Sequence, residues 1–367
     1  MADEKNKTVD QSKLFSDYKG YFSAIYVPVL AVVLGLIIGA FVMMVIGKDP
    51  FRAYSVLFSS SLGSPRAILN TLMKSTPLIF TGLAVAFAFR CGLFNIGGDG
   101  QFLIAYIVTA YIGYRVGLPG FLHIPLALVV GATAGGLWGG LAGYLKAKFG
   151  VHEVISTIML NYIALHLNTY IIIQLSGGRA AKTPVIAESA KLWRPFAISR
   201  FNTSFLIAII ASLSIYFILW KTTTGYEVRA VGLNPSGAEY GGINISRKTI
   251  LTMFISGALA GLAGSTQVLG LEFKALQLSA FTGLGFTGIA VALVGKNHPI
   301  GVILSAFLFG ILAQGANQMQ NLANVPKEVV EIIQAIIIFF VAIEYLFKII
   351  QKRMNEEKER EIADARN

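Results

Sequence analysis

Charge is the first thing this sequence lacks. Only 13% of its 367 residues are Asp, Glu, Lys or Arg, while 55% are hydrophobic; soluble domains carry nearer a quarter charged residues. That shortage excludes a water-facing surface wrapped around one core and requires apolar surroundings. Cysteine is nearly missing too. The single Cys91 excludes an intramolecular disulfide and any zinc-type spacing. His123, His152, His166 and His298 show no metal-ligand spacing, and no nucleophile–base pairing stands out. No G-x-x-x-x-G-K-[ST] phosphate loop occurs, so the chain does not bind ATP by that device. No catalytic residue, metal or cofactor is therefore expected. An enzyme using Glu153 or Asp99 as a base has nothing further to support it.

What is present is apolar length. Tyr26 to Ile46 carries no charge and, at about 1.5 Å per residue, reaches across roughly 30 Å of hydrocarbon. Further runs lie at about 67–89, 98–116, 122–145, 153–175, 204–220, 249–269, 283–296, 299–316 and 329–348. The expected fold is all-α: a polytopic integral membrane protein with about ten transmembrane helices. A polar tail at 1–25 precedes a membrane domain at 26–348, and a charged tail at 349–367 follows. The first 25 residues do not read as a cleavable signal peptide. Lys74 falls inside the second run, where its stem can carry the ammonium to the interface or its charge can serve function. The net charge of +11 is spread between apolar runs, which argues for membrane loops and against nucleic acid. Most basic residues fall on one side if both ends are cytoplasmic.

The 38 glycines are patterned. Gly131, Gly135, Gly139 and Gly143 recur every fourth residue, and Gly257 and Gly261 repeat the spacing, which predicts close helix packing. Gly92–Gly97 and Gly283–Gly288 share a G-L-x-x-x-G frame at breaks in corresponding apolar stretches. Paired interrupted segments in weakly repeated halves point to a transport site between repeats.

Four polar groupings stand out. The first break, Arg90 to Gln101, places Asn95, Asp99 and Gln101 beside apolar helices. It reads equally as unwound backbone at membrane depth or as a turn whose Asp99 suits a helix N-terminus. Glu153, Thr157, Asn161 and Asn168 share a helix face, fit for a cavity or for helix–helix hydrogen bonds. Gln314, Asn317, Gln318 and Asn321 form a third group, suited to a vestibule or to interfacial solvation. In the long loop 222–247, expected on the cytoplasmic side, Asn234 can cap a helix with Pro235 first and Gly241-Gly242 last. That predicts a short helix over Pro235–Tyr240, passive or a docking lever.

The string Gly92-Leu-Phe-Asn-Ile-Gly-Gly-Asp-Gly-Gln101 resembles the GLFNIGxEGQ signature of permease subunits of nucleoside ABC importers. The likeness continues through Glu153-Val-Ile-Ser-Thr-Ile-Met-Leu-Asn161 and Tyr226-Glu-Val-Arg-Ala-Val-Gly-Leu-Asn-Pro235, with Ala238 and Gly241-Gly242-Ile243. It ends in Gly285-Phe-Thr-Gly-Ile-Ala-Val-Ala-Leu293 with Asn297, Pro299, Ile300 and Gly301. The wider family also holds permeases for ribose-like sugars and branched-chain amino acids.

The resemblance implies one transmembrane subunit of an ATP-driven importer in a prokaryotic plasma membrane, with cytoplasmic termini. Its partners would be a cytoplasmic ABC ATPase, a second permease subunit, identical or paralogous, and an extracellular substrate-binding protein. Phe94, Asn95, Asp99, Gln101, Glu153, Asn161, Phe286 and Thr287 would lie at or near the substrate path. Asn234, Pro235, Ala238, Glu239, Tyr240 and Gly241 would form the coupling helix that meets the ATPase. Asp99 departs from the usual Glu, and Thr287 stands where an acid is common. A neutral nucleoside suits such a lining, because amides pair with polar groups and Phe94 and Phe286 offer ring faces. A ribose-type sugar permease and a stand-alone secondary transporter are the alternatives.

Overall fold

A computed structural model describes residues 28–178 and 181–343; the tails expected at 1–25 and 349–367 lie outside these. The described residues are mostly helical, with no strand beyond one isolated antiparallel bridge between Lys182 and Leu276. Helices α1 (Pro28–Val45), α2 (Pro50–Leu62), α3 (Pro65–Arg90), α4 (Gly98–Arg115), α5 (Gly120–Phe149) and α6 (Glu153–Leu175) come first. Then follow α7 (Ser204–Lys221), α8 (Thr223–Leu233), α9 (Pro235–Tyr240), α10 (Ile245–Gln267), α11 (Leu284–Val294), α12 (Pro299–Ala323) and α13 (328–343). Seven of the described helices, α1, α3, α5, α6, α7, α10 and α12, are long and apolar enough to cross a membrane. Each of the ten expected apolar runs is mainly helical where it is described.

Local signals set the boundaries. Ser64 caps α3 by accepting from the Ala67 amide, with Pro65 at the first position. Gly150 ends α5 in the left-handed region, where glycine carries no side-chain penalty. Val268–Glu272 continues α10 as a π-helical turn and stops at Phe273, which is left-handed.

The chain divides into two compact units. The smaller brings its two chain segments together: Gly35 and Gly39 of α1 sit against Ile337 and Ile333 of α13, and Arg52 donates to the Leu322 carbonyl. The larger, Val56–Gln318, holds the core. There α3 and α10 are mostly buried, while α5, α6 and α7 bury a minority of their residues and show apolar faces outward. The glycine stripes join α5 to α10 backbone to backbone. A Cβ on Gly135 would stand 2.6 Å from the Gly257 carbonyl oxygen, and one on Gly139 would stand 3.0 Å from Gly257 Cα. Lys74 is exposed on α3, as an interface-reaching side chain requires.

The short run 283–296 is explained by α11. Its 11 residues reach about 16 Å, roughly half the hydrocarbon thickness. The two G-L-x-x-x-G frames also fold differently. Gly92 and Gly283 are both left-handed, but the residues after Gly283 enter α11 at once, whereas those after Gly92 stay non-helical until Gly98.

Candidate functional site

The two interrupted segments meet. Gly98, the first residue of α4, lies so close to Gly285 in the first turn of α11 that a Cβ on Gly98 would stand 3.1 Å from Gly285 Cα. Asp99, fully buried, accepts from the Thr282 hydroxyl at 2.9 Å. A Cβ on Gly285 would fall 2.6 Å from Asp99 Oδ2, so no side chain fits between the carboxylate and this turn. Oδ2 has no hydrogen-bond partner among the described residues, and the Gly283, Gly285 and Phe286 amides lie close to the carboxylate. A carboxylate at a helix N-terminus is favoured by the exposed amides and the helix dipole.

The other end of α11 returns to α3. Arg90 Nε donates to the Asn297 carbonyl at 2.9 Å, just past the last turn of α11. The length of α11, about 16 Å, therefore lies between the turn that faces Asp99 and the end that meets Arg90. Residues 91–97 join these two levels without helix. Burial, followed by the Arg90 charge, holds the adjacent His298 imidazole below its ordinary range.

Unwound backbone at such depth needs partners for its polar groups, and α6 supplies them in ladder fashion. At its start, Glu153 accepts from the Phe94 amide at 3.4 Å and pairs with Lys146 of α5. Two turns on, Asn161 accepts from the Gly100 amide at 2.8 Å and donates to the Ile96 carbonyl at 2.9 Å. The eight residues between them rise about 12 Å, matching an extended segment beside the helix. Within the break, Asn95 and Gln101 exchange amide hydrogen bonds at 3.0 Å each way, and Asn95 donates to Ser256 at 2.7 Å. Ser256 in turn donates to the Ala84 carbonyl.

Of the eight residues expected near the path, Asn95, Asp99, Gln101, Glu153 and Asn161 are buried in this bonded cluster. Phe94 and Thr287 are half-buried, and Phe286 is 51% exposed. Phe286 and Thr287 lie in the α11 turn that faces Asp99. Thr157 and Asn168 share the buried face of α6, together with Leu160 and Ala164. Asn168 accepts from the Leu278 amide at 3.1 Å. Gln314, Asn317, Gln318 and Asn321 are half-buried to exposed on α12. Sequence reasoning missed Lys146, Ser256 and Thr282, since nothing in their spacing separates them from loop and packing residues.

The expected short helix is α9. Asn234 accepts from the Gly237 amide at 3.0 Å, Pro235 opens the first turn, and Gly241 follows the last. Ala238 is buried, Glu239 is exposed and Tyr240 is 98% exposed. Before it lies α8, which the sequence did not reveal. A Cβ on Gly232 of α8 would stand 2.2 Å from the Arg90 carbonyl oxygen, so α8 abuts the first residues of the break. Glu227 of α8 also pairs with Lys248 of α10.

Residues 67–342 match the family described as branched-chain amino acid transport system / permease component. The guanosine ABC transporter permease protein NupP of Bacillus subtilis is 44% identical over 340 residues, 91% of this chain and 98% of that one. The nucleoside ABC transporter permease protein NupB of Lactococcus lactis subsp. cremoris is 40% identical over 337 residues, 89% and 92% of the two chains. The glucose ABC transporter permease protein TsgB13 of Haloferax volcanii is 30% identical over 335 residues, 88% of each. The chain belongs to this permease family and is a multi-pass membrane subunit of an ABC importer.

Proposed function

We propose that this subunit forms the translocation path for nucleosides in a prokaryotic plasma membrane, with both termini cytoplasmic. The observation that carries the reading is the identity of 44% and 40%, over about nine-tenths of the chain, to relatives named for guanosine and nucleoside transport. Phe94, Asn95, Asp99, Gln101, Glu153, Asn161, Phe286 and Thr287 stand at or near the path. Their roles divide by exposure. Exposed Phe286 offers a ring face to a base, while the buried amides and carboxylates hold the broken segments that present it. A weak lining is sufficient, because a path must release what it admits.

A cytoplasmic ABC ATPase drives the cycle through Asn234, Pro235, Ala238, Glu239, Tyr240 and Gly241. The exposed α9 supports this, since Tyr240 packs on little among the described residues. Movement of α9 passes through α8 to Gly232 and so to the Arg90–Gly92 start of the break. A second permease subunit and an extracellular substrate-binding protein complete the importer.

Uptake of labelled guanosine into proteoliposomes carrying the assembled importer tests the reading. Uptake should require ATP and should be lost in Tyr240→Asp while ATP hydrolysis continues. Uptake driven by an ion gradient without ATP would instead establish a stand-alone secondary transporter. The 30% identity to a glucose permease favours sugar as the second reading, and labelled ribose or glucose in the same vesicles decides it.

A further inference from the structure

The segment between α6 and α7 carries a loop that is fixed at its base and apolar at its tip. At the base, buried Leu192 donates its amide to the Leu269 carbonyl at 2.9 Å. Fully buried Asn202 donates to the Gly270 carbonyl at 3.0 Å and accepts from the Ser204 amide at 3.0 Å. The Thr203 amide closes the loop by donating to the Trp193 carbonyl at 3.1 Å. Lys191 and Arg194 both lie over the Phe273 ring, at 4.9 and 4.7 Å, and Arg194 donates to the Gly270 carbonyl at 2.9 Å. These contacts clamp both flanks of Trp193 and leave its own ring facing out.

The tip then exposes what a soluble loop would bury. Trp193 is 69% exposed, Phe196 47% and Ile198 56%, and Arg200 is exposed beside them. The rings of Phe196, Phe201 and Phe205 follow one another at 6.0 and 5.8 Å, so the strip runs unbroken into the first turn of α7. That helix shows Leu206, Ile210, Leu213 and Phe217 outward, a single apolar face at helical spacing. With 18 residues, α7 is about 27 Å long and only just covers the hydrocarbon. Residues a few positions before Ser204 therefore lie at the lipid–water boundary.

We propose that the tip Trp193–Arg200 is an interfacial membrane anchor, with Trp193, Phe196 and Ile198 inserted among the lipid headgroups and upper acyl chains. Arg194 and Arg200 sit at the depth of the phosphates, where a guanidinium is matched in charge. Aromatic side chains with a nearby cation are the residues that membrane boundaries select. The rigid base makes insertion cost little ordering entropy, since Leu192 and Asn202 already fix the loop. The anchor belongs to this chain alone and does not depend on which solute the importer carries.

The single Cys91 is buried, so a Cys91→Ala background accepts a probe at Phe196→Cys. An environment-sensitive fluorophore there, in vesicles of phosphatidylglycerol and phosphatidylcholine, should emit to the blue and be quenched by nitroxide lipids. Its iodide quenching should be about threefold or more below that of the same probe at Glu188→Cys, as burial among headgroups demands. Iodide quenching equal at both sites overturns the proposal. So does protection that arises only when an extracellular binding protein is added, which would make the tip a protein-docking surface. If the Cys91→Ala chain does not fold, Trp193→Phe in the otherwise unaltered protein gives a second measure. It should lower the bromolipid-quenchable part of the tryptophan emission, to which Trp138 of α5 and Trp220 of α7 also contribute, and an unchanged bromolipid response counts against the anchor.

Discussion

At the scale of single residues, most polar groups near the break bond to the protein itself. Asn95 bonds Gln101, Ser256 and the Gly97 amide, Asn161 bonds Gly100 and Ile96, and Gln101 exchanges both of its bonds with Asn95. The sequence made these residues visible, because an amide inside an apolar run is costly unless satisfied. It did not reveal their partners, which come from segments up to 161 residues away, as in the Asn95–Ser256 bond. The pair of Glu153 with Lys146 is the most exposed to test. The Glu153 side chain is nearly buried, whereas a third of the Lys146 side chain reaches solvent. Removing the cation strands a buried charge, which costs more than losing a surface pair, though partial exposure of Lys146 screens it. Lys146→Met should lower stability by about 1–3 kcal/mol, read as a fall in Tm in detergent. Adding Glu153→Gln should restore part of the loss, because the amide leaves no charge behind. An unchanged Tm in Lys146→Met would show that the pair holds nothing in place.

At the scale of elements, legibility followed local chemistry. The sequence foretold α9 from its cap, its proline and its terminal glycines, and the structure has it over the expected residues. Neither α8 nor α11 was equally legible. Two glycines, Gly225 and Gly232, weaken the intrinsic propensity of α8; its Thr222 cap and its packing against Leu219 and Arg90 hold it. Hydropathy placed α11 but could not show that its first turn meets Asp99, since that depends on the path of a distant loop. The α8 contact has a consequence for coupling. Gly232 touches the Arg90 carbonyl without room for a side chain, so Gly232→Val must push α8 away from the break. In the assembled importer this variant should hydrolyse ATP yet lose most substrate uptake, about tenfold or more if roughly 1.4 kcal/mol of coupling is lost. Parallel loss of hydrolysis and uptake would mean that the contact only supports folding.

At the scale of the whole molecule, spans were legible because lipid-facing helices must be apolar along their length. Their packing order was legible only where glycine spacing declared it. The stripe on α5 and its partner on α10 predicted close approach, and the two backbones do touch. In lipid there is no hydrophobic gain from bringing helices together, so such contact rests on close van der Waals fit and on polar groups. The α5–α10 seam therefore has little tolerance for added volume, whereas a glycine beside the seam has more. A Cβ on Gly135 would meet the Gly257 carbonyl oxygen at 2.6 Å, while one on Gly140 would rest 3.6 Å from Phe254 Cβ. Gly135→Ala should cost roughly 1–3 kcal/mol or more as overpacking, and Gly140→Ala should be near neutral. Gly135→Ala with Gly257→Ala should cost less than the two single changes added together, because one separation of the helices relieves both clashes. Thermal stability of the four purified proteins, monitored by size-exclusion chromatography, reads the difference. Equal losses in Gly135→Ala and Gly140→Ala would mean that the helices yield freely and that the stripe does not set their distance.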